Sequence, residues 1–193
     1  MTVKIIGGIY RGRILKTPKG KETRPSSGLI RKAIFDICRP YLEKSEFLDL
    51  FAGSGAVGIE ALSQGAHHAT FVDNNALACK CIQENIALLS LESQTTLLRL
   101  PVERALEVLL KKEKSYDLIY LDPPYGKEDL IPLLSLISTS SLLKTNGHIF
   151  VEEAEKVASI LAKTPLPLLQ CLPIRKYGDS FLLEFISLQR AVS

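Results

Sequence analysis

The chain has 193 residues, 46% hydrophobic and 23% charged, with a formal net charge of +3 at pH 7. That length fits one domain with an appendage, and the composition fits a packed core and excludes a disordered or collagen-like chain. The residues from Met1 to Gly8 lack the apolar stretch of a secretory signal, and no apolar run approaches the roughly 20 residues that cross a bilayer, so a soluble, cytoplasmic protein with no membrane partner is expected.

In chain order, the first 44 residues stand apart. They hold eleven Lys and Arg against three acids, a net +8, while residues 45–193 hold thirteen against eighteen, a net −5. A basic segment on a mildly acidic body points to a polyanion held by the basic part. Lys4–Leu15 read as short strands interrupted by Gly7-Gly8 and Gly12, and Lys16–Pro25 as a loop. Pro25-Ser26-Ser27 open a helix to about Tyr41. Ile30, Ile34, Ile37 and Tyr41 give its apolar stripe, with Arg31 and Lys32 off it. The basic extension 1–44 is thus set apart from a second unit, 45–193.

From Ser45 on, short apolar runs (Glu46–Phe51, Ala69–Asp73, Thr95–Arg99, Tyr116–Asp122, His148–Glu152) alternate with amphipathic stretches near 56–64, 75–90, 102–112, 128–140 and 154–162. In the second stretch, Ile82, Ile86 and Leu89 share one face. Such alternation predicts an α/β fold: a mainly parallel sheet covered by helices. After Pro167 the helical pattern stops. Leu168–Lys176 and Ser180–Leu188 flank Tyr177-Gly178-Asp179 and read as a closing antiparallel hairpin. The four cysteines, Cys38, Cys79, Cys81 and Cys171, form no disulfide framework in a chain without an export signal. Cys79 and Cys81 point apart on a helix, and no Cys/His pair completes a zinc site. No metal is expected, and His67, His68 and His148 read as structural.

Two motifs carry chemistry. The first run passes through Asp49-Leu50-Phe51-Ala52-Gly53-Ser54-Gly55 into a helix, and with Gly58 the glycines spell G-x-G-x-x-G. Such a turn lets a ligand approach the backbone at a helix N-terminus. Asp73, twenty residues beyond Gly53, closes the next strand and suits ribose hydroxyls, with Asn74 following it. This pattern serves both NAD and S-adenosylmethionine. Asp49 favours the second, because a carboxylate sits poorly beside a pyrophosphate and well beside an ammonium. The expected contacts are Asp49, Phe51, Gly53, Ser54, Gly55, Asp73 and Asn74.

The second motif, Asp122-Pro123-Pro124-Tyr125, follows the fourth run, at the carboxyl end of a strand where ligands of open parallel sheets collect. An exocyclic amine on a nucleobase is a poor nucleophile, its lone pair delocalised into the ring. The Asp122 carboxylate and the Pro123 carbonyl can accept its two protons and free that lone pair. With a reference pKa of about 3.9, an ionised Asp122 stabilises the positive nitrogen as it forms and can take up its proton. Tyr125 offers a stacking face worth roughly 1–3 kcal/mol. The target base must be unpaired or flipped out.

With these motifs in view, the chain resembles bacterial 16S ribosomal RNA guanine-(N2)-methyltransferases of the RsmD type. The resemblance runs through Ile6-Gly7-Gly8, Tyr10-Arg11-Gly12-Arg13, Lys16-Thr17-Pro18, Thr23-Arg24-Pro25, the glycine turn, Asp122-Pro123-Pro124-Tyr125-Gly126 and Lys176-Tyr177-Gly178-Asp179. It implies a Rossmann-like fold, S-adenosyl-L-methionine as cofactor, and methyl transfer to the N2 amine of a guanine in 16S rRNA, within the small subunit or its late precursor. It implies that the basic segment grips RNA, with Arg11, Arg13, Arg24 and Arg31 as contacts, and a monomer is expected. Such enzymes carry a polar Asp-Ala or Asn-Ala pair against adenine after the third strand. Here Arg104 occupies that place with Glu103 beside it, and Glu103 or a backbone amide is expected to replace the contact. Three other readings stand beside this one: an amino-methyltransferase of DNA adenine or cytosine, an NAD-dependent oxidoreductase, and a non-catalytic RNA-binding module.

Overall fold

A computed structural model of the chain describes residues 3–18, 25–124 and 130–188, with the backbone alone for residues 25–27. Arg24 and Tyr125, both expected at functional positions, lie outside the described residues. A two-stranded antiparallel ladder, β1 (Val3–Lys4) with β2 (Ile14–Leu15), comes first, followed by helix α1 (Pro25–Leu42). Then come β3 (Glu46–Leu50), α2 (Ala56–Ser63), β4 (His68–Val72), α3 (Ala76–Leu89), β5 (Thr95–Leu98), α4 (Val102–Lys111), β6 (Tyr116–Leu121), α5 (Leu130–Thr139), β7 (Leu143–Glu153) and α6 (Glu155–Lys163). The strands β8 (Leu169–Cys171), β9 (Arg175–Tyr177) and β10 (Ser180–Ser187) finish the chain.

The main sheet runs β5-β4-β3-β6-β7-β10-β8, with β9 also paired to β10. Strands β3 to β7 are mutually parallel, and β10 is antiparallel to β7, β8 and β9. Strand order reverses between β3 and β6. That switch opens a crevice at the carboxyl ends of these two strands, and the residues that follow each strand there are the two motifs.

Both sheet faces are covered, so the parallel strands are apolar nearly throughout. Leu48, Leu50, Val72, Ile119, Leu121, Ile149 and Val151 pack against α4, α5 and α6. Phe47, Phe71, Leu118, Tyr120, Phe150 and Leu182 pack against α1, α2 and α3. Ile5 and Leu15 of the N-terminal ladder, and Ile30, Ile34, Phe35, Cys38 and Leu42 of α1, belong to this second cluster. The basic segment therefore shares a core with the sheet.

Three local readings differ from the structure. The buried face of α1 is Ile30, Arg31, Ile34, Phe35, Cys38 and Leu42, while Tyr41 is half exposed. The 4, 3, 4 spacing fits two overlapping faces, and the sheet selects the one carrying Phe35, which lies against Phe47. Tyr41 instead stacks on the His148 ring, 4.5 Å between centroids. Strand β7 starts five residues before the apolar run that announced it, because Leu143–Gly147 lead into the sheet with Asn146 left-handed. The stretch Leu168–Lys176 starts as a strand only after the left-handed Leu168, and it divides into β8 and β9 around Pro173, which has no N–H to give a ladder. The Gly178-Asp179 hairpin pairs Tyr177 with Ser180.

Candidate active site

The first wall of the crevice is the exit of β3. Asp49 lies on the face toward α1–α3 and is 1% exposed. Its Oδ2 accepts from the Gly58 N–H at 3.0 Å, and among the described residues its Oδ1 has no partner. Burial pushes this carboxyl well above the ordinary range. The Gly58 N–H acts against that, and the charges of Asp122 and Asp73 reinforce it. An orphaned buried acceptor costs about 1–3 kcal/mol, which a ligand donor would relieve. The chain then turns through Phe51, Gly53 and Gly55, all at positive φ. Gly58 is where the third glycine is needed: a Cβ there would lie 2.3 Å from Phe71 Cε1, so only glycine lets α2 settle on β4.

The second wall is Asp73, at the exit of β4 and 8% exposed. Its Oδ2 accepts from the Gly53 N–H and its Oδ1 from the Asn75 N–H, each at 2.8 Å. Two backbone bonds fix the carboxylate against the glycine turn, and each oxygen keeps a lone pair for another donor. Asn74 is exposed. Its neighbour Asn75 caps α3, accepting from Leu77 N–H and Ala78 N–H.

The third wall is the exit of β6. Asp122 is exposed, Pro123 buried and Pro124 exposed. Register aligns Asp49 with Tyr120 and Leu50 with Leu121, so Asp122 follows one step beyond, beside the glycine turn. Tyr120 Oη donates to Glu152 Oε2 at 3.0 Å. Burial first, then the charges of Asp122, Glu152 and Asp49, push the phenol well up, so it stays a donor.

The structure thus brings Asp49, Phe51, Gly53, Ser54, Gly55, Asp73, Asp122 and Pro123 to one end of the sheet. Glu103 and Arg104 sit exposed on the first turn of α4, where Arg104 pairs with Glu107 at 2.8 Å. Arg11 and Arg13 are exposed on the β1–β2 connection. Arg31 departs from expectation. It is 8% exposed, its Nη2 donates to the Lys4 carbonyl at 2.8 Å, and its Nε lies 3.6 Å from Glu60 Oε2. The reason is the rotated face of α1, which turns Arg31 inward as a clamp.

The family described as Conserved hypothetical protein 95 matches residues 3–185. The chain belongs to this family. Among its relatives, Bacillus subtilis YlbH, provisionally named an rRNA methyltransferase, is 39% identical over 155 residues, covering 80% of this chain and 84% of its own length. Ribosomal RNA small subunit methyltransferase D of Haemophilus influenzae is 32% identical over 152 residues, 78% of either chain. Among solved structures, Escherichia coli yhhF, provisionally named a methyltransferase, superposes with a TM-score of 0.83 at 25% identity, covering 98% of this chain and all of its own. The fold is the Rossmann-like fold of methyltransferases.

Within this family member, several supporting residues escape the motifs. Glu60, fully buried in α2, accepts from the Ile6 and Gly7 N–H groups at 2.9 and 2.7 Å and from Gln64 Nε2 at 2.7 Å. Asn85, fully buried in α3, exchanges bonds with Lys16 N–H and C=O and donates to the Ser54 carbonyl at 3.0 Å. It ties the basic segment to the glycine turn. His148, read as structural, shares Glu184 with Arg175. The available signal was a polar residue inside an apolar stripe: Glu60 in Ile59–Leu62, Asn85 between Ile82 and Ile86.

Proposed function

We propose that this protein transfers a methyl group from S-adenosyl-L-methionine to the exocyclic N2 amine of a guanine in 16S rRNA, acting in the cytoplasm as a monomer on the small subunit or its late precursor. The observation that carries the reading is the convergence of Asp49, Asp73 and Asp122 at the β3/β6 switch, beside a glycine turn. The relatives named as rRNA methyltransferases support the chemistry and the RNA class. The N2 position of guanine rests on the resemblance of the N-terminal motifs.

The residues fit the cofactor. When bound, it supplies an electrophilic methyl carbon on a sulfonium. Asp49 Oδ1 is the acceptor for the methionine ammonium, and Asp73 retains lone pairs for ribose hydroxyls. The glycine turn admits the ligand to the backbone, with Phe51, Ser54 and Asn74 along it and Glu103 or Arg104 toward the adenine. The Asp122 carboxylate and Pro123 carbonyl accept the two protons of the target amine and so localise its lone pair. As that nitrogen gains its fourth bond, Asp122 stabilises the charge, takes the surplus proton and passes it to water. Tyr125 follows directly in sequence and supplies the stacking face. Arg11, Arg13 and Arg24 contact phosphates, each adding to the salt dependence of binding.

Asp122→Ala tests the site. Single-turnover methyl transfer to small subunits is expected to fall by at least about 100-fold, the scale of a lost acid–base or charge-stabilising group, with S-adenosylmethionine affinity by calorimetry held within about twofold. An active Asp122→Ala enzyme would overturn the mechanism.

A further inference from the structure

The β6–β7 ladder pairs Tyr120 with Phe150 and Leu121 with Val151, so the next step sets Asp122 alongside Glu152. Alternation continued one residue past the end of β6 puts Asp122 on the same face as Tyr120, and Glu152 shares that face, since it takes the Tyr120 hydroxyl at 3.0 Å. Glu152 is 4% exposed. Asp49, in register with Tyr120 on the other side, carries the buried Oδ1 that lacks a partner among the described residues. Three carboxylates beyond Asp122 therefore line this end of the sheet: Asp49, Asp73 and Glu152. The first two suit the cofactor, and Glu152 lies on the side of the target amine.

We propose that Glu152 is the specificity-determining residue of the site: its carboxylate accepts the N1–H of the guanine whose N2 amine is held by Asp122 and Pro123. This rests on the guanine-N2 reading above. The amine of guanine lies between a ring N1–H, a donor, and N3, which bears a lone pair, so only guanine offers a donor beside its amine. The amines of adenine and cytosine are flanked by ring nitrogens that bear lone pairs. A carboxylate beside Asp122 completes a bond with the first and repels the other two. Tyr120 acts as a positioning residue, since its hydroxyl occupies Oε2 and fixes the carboxylate plane. In a desolvated site an unmatched polar group is rejected strongly, on the order of 10⁴-fold where such a site is built to bond its substrate.

The test uses small subunits reconstituted with 16S rRNA carrying either guanine or 2-aminopurine at the methylated position. The analogue keeps the 2-amine, exchanges the N1–H for a lone pair and lacks O6, so the readout that decides is the change in preference when Glu152 is substituted. Relative kcat/KM is measured for the wild type, Glu152→Gln, Glu152→Ala and Tyr120→Phe, with cofactor affinity by calorimetry in parallel. The wild type is expected to favour guanine by at least about 100-fold. Glu152→Ala is expected to narrow this to about tenfold or less with unchanged cofactor binding. Glu152→Gln, which keeps the volume and an acceptor for Tyr120, should narrow it in the same direction even if the alanine variant fails to fold. Tyr120→Phe should fall between. A guanine preference equal in wild type and Glu152→Gln overturns the inference, as does a wild type that uses both bases alike. A wild type that places no methyl on guanine N2 overturns the underlying reading instead.

Discussion

Asp49 is a carboxylate that folding leaves half satisfied, with one oxygen on the Gly58 N–H and the other without a partner among the described residues. Burial holds its proton to higher pH than usual, so in the unliganded protein this group favours the folded state at low pH and loses that contribution as pH rises through its raised value. An ammonium beside it favours the ionised form. Binding S-adenosylmethionine should therefore release a proton in the window between the raised value and the bound one, and affinity should climb with pH through that window and then level. Calorimetry in two buffers of different ionisation enthalpy reads the proton directly. Asp49→Asn should abolish both the release and the slope, and a pH-independent wild type would contradict the assignment. Asp49, the glycines, Asp73 and Asp122 were legible because their spacing is local and their chemistry stereotyped. Tyr120 and Glu152 were not, since their pairing joins residues 32 apart and depends on strand register.

At the scale of elements, the N-terminal ladder and α1 share an apolar core with the sheet, and one buried acid adds a clamp. Glu60 takes two backbone N–H groups and faces the Arg31 guanidinium. A Cβ at Gly8 would fall 1.7 Å from the Ser63 carbonyl, so the Gly7-Gly8 pair seen in the sequence is a close backbone approach to the end of α2, where Ile9 N–H donates to that carbonyl at 2.8 Å. Glu60→Ala strands a buried guanidinium and two amides, and it should cost about 3–5 kcal/mol in denaturant unfolding. A loss under about 1 kcal/mol, the range of exposed pairs, would show that the clamp carries no stability. Strand and helix order was readable from alternating apolar runs. The face of α1 was not, because a helix with apolar residues at 30, 34, 35, 37, 38, 41 and 42 presents two candidate stripes, and the sheet, with Phe47 against Phe35, decides between them.

Across the whole molecule, charge and site are arranged in series. The net +8 of the first 44 residues is displayed partly by Arg11 and Arg13 on the exposed β1–β2 connection. Asn85 links Lys16, just past that ladder, to Ser54 in the glycine turn. Asn85 thus joins the basic segment directly to the glycine turn. The charge asymmetry was plain in the sequence. The route from it to the site was not, because it runs through bonds spanning 69 and 31 residues. The identity of the base is the central claim. It is tested by tritiated methyl transfer to small subunits from a strain lacking this protein, followed by mapping and hydrolysis of the modified nucleotide. Label is expected in one N2-methylguanine of 16S rRNA; label in an adenine or cytosine, or at another position of guanine, would contradict the guanine-N2 assignment.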